Sequence, residues 1–156
     1  LADPQFYTIV EQASGHAVGL ASYLRIDPAN GVIEVGHLNF SPLLQQTAAA
    51  TEAMYLMMRH AFELGYRRYE WKCNALNVPS RRAAERLGFL FEGLFRQSMI
   101  TKGRNRDTAW YSILDGEWPA VRLRLEQWLS VDNFDAAGRQ QLSLSSMMAS
   151  WRQQGI

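Results

Sequence analysis

A helix-forming segment between two strand-like segments constrains the fold of this chain more than any other feature of its sequence. "LLQQTAAATEAMYLMMRHAFELG", residues 43–65, is rich in alanine, leucine, methionine and glutamate, which favour helices. Apolar residues recur along it at helical spacing, namely Met54, Met57 or Met58, Ala61 and Leu64. "VIEVGHLNF" before it and "RRYEWKC" after it are both typical of strands. The order strand, helix, strand predicts a crossover that joins two parallel strands.

Three strand-like segments stand at the start of the sequence, at residues 6–11, 16–26 and 32–40. The turn signal "ASG" separates the first two, and "DPANG" separates the second from the third. Short connections of this kind join antiparallel strands, and an Asn-Gly pair is typical of hairpins. We therefore expect an antiparallel meander in the first part of the chain.

The segment "NVPSRRAAERLGF", residues 77–89, predicts a turn followed by a short helix. Asn77 suits the N-cap position, Pro79 is tolerated in the first turn, and Gly88 ends the helix. The next segment, "LFEGLFRQSMITKGRNRDTAWYSILDGEWP", predicts a long hairpin with its tip near "KGRN" and a bulge at Gly93. We expect residues 1–118 to form the core and residues 119–156 to form a helical extension.

Composition and charge exclude several classes of protein. A chain of 156 residues with 47% hydrophobic and 20% charged residues suits one folded domain. The net charge of +1 gives no general attraction to nucleic acid or to a membrane. Cys73 is the only cysteine, and the three histidines lack ligand spacing, so we expect no disulfide and no metal site. A cytoplasmic location suits this composition.

Four stretches together resemble the GNAT superfamily of acyl-CoA-dependent N-acetyltransferases, and most of all its ribosomal-protein N-terminal acetyltransferase-like branch. They are "IEVGHLNFSP", "LQQTAAATEAM", "NVPSRRAAERLGFLFEG" and "GRNRDTAWYSILDGEW", and the third is the most specific. The resemblance implies the GNAT fold, an α+β fold with a mixed, mostly antiparallel central sheet flanked by helices. It also implies transfer of an acetyl group from acetyl-CoA to a primary amine in a ternary complex, without a metal.

The sequence departs from the family pattern in two places. The family opens with a strand and two helices that help to form the acceptor cleft, and we find no such elements before the first strand. Since the sequence opens on Leu1, we expect an incomplete N-terminus. The family's pyrophosphate loop follows the pattern Gln/Arg-x-x-Gly-x-Gly/Ala. The corresponding residues here include no glycine and no arginine: Gln45, Gln46, Thr47, Ala48, Ala49 and Ala50.

These six residues are expected to bind the diphosphate of the donor. A helix N-terminus offers unpaired N–H groups and the positive end of the helix dipole, so it can hold a diphosphate without charged side chains. Small side chains at Ala48 and Ala50 leave the backbone open to an oxygen. The competing interpretation is that these alanines only fill a good helix.

The resemblance makes Asn77 and Ser80 the residues at the sulfur end of the donor. The Asn77 amide is expected to bond the pantetheine arm, and the Ser80 hydroxyl to protonate the leaving thiolate. The competing interpretation is an N-cap worth roughly 1 kcal/mol at Asn77 and a solvated first-turn residue at Ser80. Arg82, like its neighbours Arg81 and Arg86, could meet the distal phosphate, although a charged helix face is usually only solvated.

The strand at residues 32–40 carries the candidate general base. In relatives a carboxylate near Glu34 accepts the amine's proton, commonly through water, and His37 is the alternative. Strict alternation places these two side chains on opposite faces, so that only one of them faces the cleft. The backbone from Val35 to Leu38 is expected, by analogy with the fold, to donate the N–H that polarises the thioester carbonyl.

Three functions stay open at this stage. The chain is an acetyltransferase for a protein N-terminus or a small amine, a non-catalytic acyl-CoA-binding or regulatory module, or an interaction domain without a ligand. The altered loop and the missing N-terminal elements give some weight to the second, while the resemblance as a whole favours the first. Three tryptophans either form a homodimer contact or pack on the core: Trp118, Trp128 and Trp151. We expect neither nucleic acid nor a membrane as a partner.

Overall fold

The structure is a computed structural model that describes residues 2–153. The strands are β1 Gln5–Val10, β2 Ala17–Asp27, β3 Val32–Phe40, β4 Arg68–Asn74, β5 Leu90–Thr101 and β6 Arg104–Leu114. The helices are α1 Ala48–Glu63, α2 Val78–Arg86, α3 Trp118–Leu129 and α4 Leu144–Gln153, with a 3-10 turn at Val131–Asn133. The predicted order of strands and helices is confirmed.

The chain divides into two compact units, of which the first ends at Tyr69 and the second begins at Glu70. In the first unit, β1 pairs with β2 and β2 pairs with β3, both antiparallel, as the meander prediction requires. In the second unit, the strand order is β4-β6-β5, and β5 and β6 form the predicted antiparallel hairpin. The division into residues 1–118 and 119–156 stays a prediction.

Helix α1 buries one stripe of residues in the first unit, and the stripe is Thr51, Met54, Tyr55, Met58 and Ala61. The Tyr23 hydroxyl donates to the Met57 carbonyl, which ties α1 to the face of β2 that carries Tyr23. The predicted stripe is thus confirmed at Met54, Met58 and Ala61. It is wrong at Leu64, which is 59% exposed because it is the C-cap residue where the helix ends.

Helices α2, α3 and α4 pack together in the second unit. Gly88 follows α2 with φ +100°, and a Cβ at this position would lie 2.9 Å from a Val121 methyl carbon of α3. Glycine is therefore needed here both for the backbone conformation and for the close approach. Arg152 of α4 donates through Nη2 to the Glu85 and Phe89 carbonyls, at 2.9 and 2.8 Å, just where α2 ends.

The bulge in the long hairpin and the burial of two C-terminal tryptophans both bear on predictions from the sequence. The register of β5 against β6 shifts between Phe91 and Gly93, so the bulge expected at Gly93 is confirmed. Trp118 and Trp128 are buried within the second unit. They pack on this unit's own core, which was one of the two alternatives for the tryptophans.

Candidate active site

The segment before α1 is a tight turn held by its own hydrogen bonds. The amides of Leu44 and Gln45 both donate to the Ser41 carbonyl, and the Thr47 amide donates to the Leu44 carbonyl. Gln46 adopts a left-handed conformation with φ +60°. Thr47 is the N-cap of α1, and its Oγ1 accepts from the Ala50 amide at 3.2 Å. The helix thus begins at Ala48, three residues into the predicted loop.

This turn leaves only part of the loop's backbone able to bind a ligand. The amides of Gln45, Thr47 and Ala50 are engaged within the segment. Within residues 2–153, the amides of Gln46, Ala48 and Ala49 have no hydrogen-bond partner, and all three residues are exposed. Unpaired amides at a helix N-terminus, with the positive end of the helix dipole behind them, suit an anion such as a diphosphate.

Strand β3 contains a bulge at His37. Between the pairs Ser22–Gly36 and Leu20–Asn39, β2 has one residue and β3 has two, and His37 has φ +48°. A bulge with its first residue in the left-handed region interrupts the ladder. The bulge lies inside the Val35 to Leu38 backbone that was predicted to polarise the thioester carbonyl. Which of its amides would contact a donor stays a prediction.

The bulge also overturns the expected separation of Glu34 from His37. Directly opposed residues of antiparallel strands share a face, so Leu24 lies beside Glu34, and Ser22 lies on that same face. The His37 ring reaches this face too, because its Nδ1 lies 2.7 Å from Ser22 Oγ. The prediction of opposite faces is therefore wrong, since alternation does not continue through a bulge.

Glu34 and His37 differ in their surroundings. The Glu34 side chain is 5% exposed, and its Oε2 lies 2.7 Å from Nη1 of Arg25, whose side chain is 55% exposed. His37 is exposed. Ser22 Oγ also lies 3.2 Å from the Gly36 carbonyl oxygen. When Ser22 donates to that carbonyl, it accepts from Nδ1–H of His37, and Nε2 of His37 keeps a lone pair.

Asn77 and Ser80 are both placed by hydrogen bonds at the start of α2. Asn77 is the N-cap, and its Oδ1 accepts from the Ser80 amide at 3.1 Å. Asn77 is exposed, and within residues 2–153 its Nδ2 has no hydrogen-bond partner. Ser80 Oγ accepts from the Trp71 indole Nε1 at 3.1 Å. The cap interpretation of Asn77 is thus correct, and it leaves the amide donor group available for a ligand.

The three arginines of α2 have different roles. Arg81 donates through Nε to the Tyr111 hydroxyl at 3.0 Å, and that hydroxyl donates to Glu85. Burial raises the pKa of Tyr111, and the hydrogen bond to Tyr111 raises the pKa of Arg81. Arg86 lies over the Trp128 ring, and burial lowers its pKa. Arg82 is exposed, and within residues 2–153 no acidic group pairs with it.

Sequence reasoning missed Trp71 as a partner of Ser80 and Tyr111 as a partner of Arg81. Alternation correctly placed Trp71, Tyr69 and Cys73 on one buried face of β4. An indole on the buried face of the strand that leads into α2 is a signal that could have directed attention to Ser80, since a buried indole N–H usually finds an acceptor. No comparable local signal links Tyr111 to Arg81.

Across residues 2–153, no group of three or more histidine, cysteine, aspartate and glutamate side chains could hold a metal ion. None of the helices in the same part of the chain has both the length and the hydropathy of a membrane span.

Comparisons with known proteins agree with this architecture. Residues 2–90 match the family described as "Acetyltransferase (GNAT) domain". A crystal structure of a GCN5-related N-acetyltransferase from Brucella melitensis is 54% identical, with a TM-score of 0.91, and the match covers 94% of this chain and 67% of that one.

Two curated bacterial proteins are more distant relatives. The uncharacterized N-acetyltransferase YokL, derived from prophage SPbeta of Bacillus subtilis (strain 168), is 30% identical over 69% of this chain and 60% of its own length. The ribosomal-protein-serine acetyltransferase of Escherichia coli (strain K12) is 28% identical over 64% of this chain and 56% of its own length. The chain thus spans less than two thirds of these curated relatives.

The match over residues 2–90 exceeds half of the chain, and the likeness to the Brucella structure extends over nearly all of it. Both the resemblance and the predicted fold, a mixed, mostly antiparallel sheet flanked by helices, are thereby confirmed: the chain belongs to the GNAT acetyltransferase family.

Proposed function

We propose that this chain transfers an acetyl group from acetyl-CoA to a primary amine, of a protein N-terminus or a small molecule, by direct attack in a ternary complex. The observation that carries the proposal is the set of unpartnered amides at Gln46, Ala48 and Ala49, at the mouth of α1. Family membership supplies the reaction class, because such a helix mouth by itself indicates only an anion site.

The donor's diphosphate fits these amides, and its thioester supplies an activated acetyl group. Three N–H groups and the helix dipole replace the glycines and the arginine of the family pattern. Gln45, Thr47 and Ala50 shape the turn through their own hydrogen bonds. Arg82, which is exposed and without an acidic partner among residues 2–153, binds the distal phosphate.

Asn77 and Ser80 act at the sulfur end. The unpaired Asn77 Nδ2 donates to a carbonyl of the pantetheine arm. Ser80 Oγ already accepts the Trp71 indole N–H, so its own proton remains available for donation. As the C–S bond breaks, the hydroxyl stabilises the thiolate by a hydrogen bond or gives it this proton and regains one from solvent, which makes Ser80 a catalytic residue of the proposal.

The bulge of β3 supplies the remaining groups. A backbone N–H between Val35 and Leu38 stabilises the negative charge on the acetyl oxygen. Glu34 removes the proton of the attacking amine, through water, so that the C–N bond forms with a neutral amine. Because His37 lies on the same face and keeps Nε2 exposed, it is the competing base, and the two are separated by the variants described in the Discussion.

Titration with acetyl-CoA and with CoA, followed by a free-thiol release assay over a panel of amines, tests the proposal. We expect binding of both compounds and release of thiol that depends on an amine. Binding without amine-dependent thiol release would favour the alternative function, a non-catalytic acyl-CoA-binding or regulatory module. Absence of acetyl-CoA binding would contradict both.

The proposal extends to the location, the oligomeric state and the organisation of the chain. A reducing compartment, the cytoplasm, suits a chain whose one cysteine excludes an internal disulfide. We also propose a homodimer, and light scattering measures the mass that tests it. The division into a catalytic core, residues 1–118, and a C-terminal extension, residues 119–156, stays part of the proposal.

A further inference from the structure

The tip of the β5–β6 hairpin borders a cavity in the second unit. The cavity has a volume of about 490 Å³, within the size range of small-molecule sites. Its lining includes three cations, two amides and one apolar residue: Lys102, Arg104, Arg106, Asn74, Asn105 and Leu76. No carboxylate lines it. The site therefore has the donor groups of an anion site and an apolar rim at Leu76, which is 85% exposed.

The three cations are unneutralised. Within residues 2–153, the side chains of Lys102, Arg104 and Arg106 take part in no ion pair and no hydrogen bond, and the Nε of Arg106 is buried without an acceptor. A buried donor without a partner carries a free-energy penalty that a bound anion would remove. Lys102 and Arg104 are exposed, so this penalty applies to Arg106 alone, and a bound anion would accept hydrogen bonds from all three side chains.

Lys102 lies in the turn of the hairpin, and Arg104 and Arg106 lie in the strand that follows it. Lys102 and Gly103 both have positive φ, of 51° and 72°, and connect the paired residues Thr101 and Arg104. A two-residue turn of this kind favours asparagine, aspartate or glycine, so lysine at the first position is costly in backbone terms.

The nearby carboxylate of Asp107 is occupied elsewhere. It accepts from the Gln97 amide at 2.7 Å and from Asn105 Nδ2 at 2.9 Å. These two hydrogen bonds, in that order, lower the pKa of Asp107, with the nearby charge of Arg96 as a smaller cause. Asp107 thus orients Asn105 at the cavity wall and leaves the three lining cations unpaired.

The cavity adjoins the turn that carries Asn77. Asn74 and Leu76 line the cavity, and the Asn77 amide donates to the Asn74 carbonyl at 2.8 Å. The segment that supplies Asn74 and Leu76 to the cavity thus leads directly into Asn77, the N-cap of α2. An anion bound in the cavity lies beside the group that the proposed function assigns to the sulfur end of the donor.

We propose that this cavity binds the anionic portion of the acceptor, so that the preferred acceptor is a small amine bearing a phosphate or a carboxylate. The inference rests on the proposed function for the role of the bound amine. Phosphate and carboxylate share the same recognition by arginine forks and amide donors. A volume of about 490 Å³ suits a ligand of metabolite size, which favours a small molecule over a nucleic-acid backbone.

The experiment compares amines that differ only in the anionic group. Binding to the whole protein is measured by calorimetry, with and without saturating CoA, for phosphoethanolamine against ethanolamine, β-alanine against β-alaninamide, and γ-aminobutyrate against γ-aminobutyramide. The variants are Arg104→Gln/Arg106→Gln and, as a milder change, Lys102→Gln. Arg139→Gln is the matched control, because Arg139 is an exposed arginine of the same unit that pairs with Asp135.

We expect at least one amine with an anionic group to bind more than about 10-fold tighter than its counterpart without that group, as one charge-assisted contact provides. The preference should persist in CoA and in Arg139→Gln, fall in Lys102→Gln, and vanish in the double variant. Three results would overturn the inference: no preference in any pair, a preference that survives the double variant, or a preference abolished by CoA. The last would place the anion at the donor site. Failure to bind acetyl-CoA would instead contradict the proposed function.

Discussion

The Trp71 indole donates its N–H to Ser80 Oγ at 3.1 Å. Trp71 is buried on β4, where its ring lies edge-on to Phe89 with the centroids 5.5 Å apart, while Ser80 is in the first turn of α2. In this bond the hydroxyl oxygen is the acceptor, so the hydroxyl proton is not used by the bond. A serine held in this way is a hydrogen-bond donor for whatever lies at the start of α2.

Ser80→Ala tests this donor role. We expect kcat to fall about 10²-fold, as the loss of a general acid predicts, while the Kd of acetyl-CoA changes little. Trp71→Phe should give a smaller fall in kcat, because the hydroxyl stays but loses its orienting partner. Steady-state kinetics and calorimetry measure both, with exposed Ser145→Ala as the control. Equal losses of turnover and affinity in Ser80→Ala would argue against proton donation.

Asn77→Ser separates capping from ligand binding. Serine keeps an oxygen that caps α2, so the free energy of unfolding should change by less than about 1 kcal/mol. It removes the unpaired Nδ2, and acetyl-CoA should therefore bind more weakly. Asn77→Ala should lower both the affinity for acetyl-CoA and the free energy of unfolding, because it removes the Nδ2 donor and the N-cap oxygen together. An unchanged Kd in both variants would remove Asn77 from the proposed site.

Ala48→Pro removes one unpaired amide without damaging the helix. Ala48 is the first residue of α1, where proline is favoured, and Thr47 before it is extended, as proline requires. Loss of a charge-assisted hydrogen bond of about 1.5–3 kcal/mol should raise the Kd of acetyl-CoA roughly 10- to 100-fold. Ala48→Gly keeps the amide and serves as the control. If the Ala48→Pro and Ala48→Gly variants bind acetyl-CoA equally well, the diphosphate lies elsewhere.

Glu34→Gln and His37→Gln identify the general base. The base must be unprotonated to accept the amine's proton, so the rate of the native protein falls as the pH falls through the base's pKa. The variant that removes the base should lose this acid limb of the kcat/KM profile and most of the rate. The other should keep the limb. Persistence of the limb in both variants would mean that neither residue is the base.

Arg152→Ala should loosen the C-terminal end of α2. The guanidinium donates to the Phe89 carbonyl and to the Glu85 carbonyl, which also accepts from the Gly88 amide at 3.2 Å. Hydrogen bonds to charged groups contribute about 1.5–3 kcal/mol, so we expect destabilisation of that order by urea unfolding. Hydrogen exchange should rise in α2 more than in β2. Arg139→Ala, at an exposed pair, should change neither quantity measurably.

Local signals account for what could be read from the sequence. The stripe of Met54, Met58 and Ala61, the cap at Asn77 and the bulge at Gly93 all depend on residues within a few positions of one another. Helical and strand periods, turn residues and caps are encoded at that range. Signals of this short range also predicted which segments belong to the candidate site.

The sequence by itself determined the order of strands and helices, the family, and the residues at the mouths of α1 and α2. Only the tertiary structure decided which groups in those places remain available: the unpaired amides of Ala48 and Ala49, the Ser80 hydroxyl beside Trp71, and the uncompensated cations at the hairpin tip. It also brought His37 to the face of Glu34, through a bulge whose partner, Ser22, lies 15 residues away. The physical reason is that a donor is free only when no group in the surrounding fold accepts from it. The groups that could accept include residues distant in the chain.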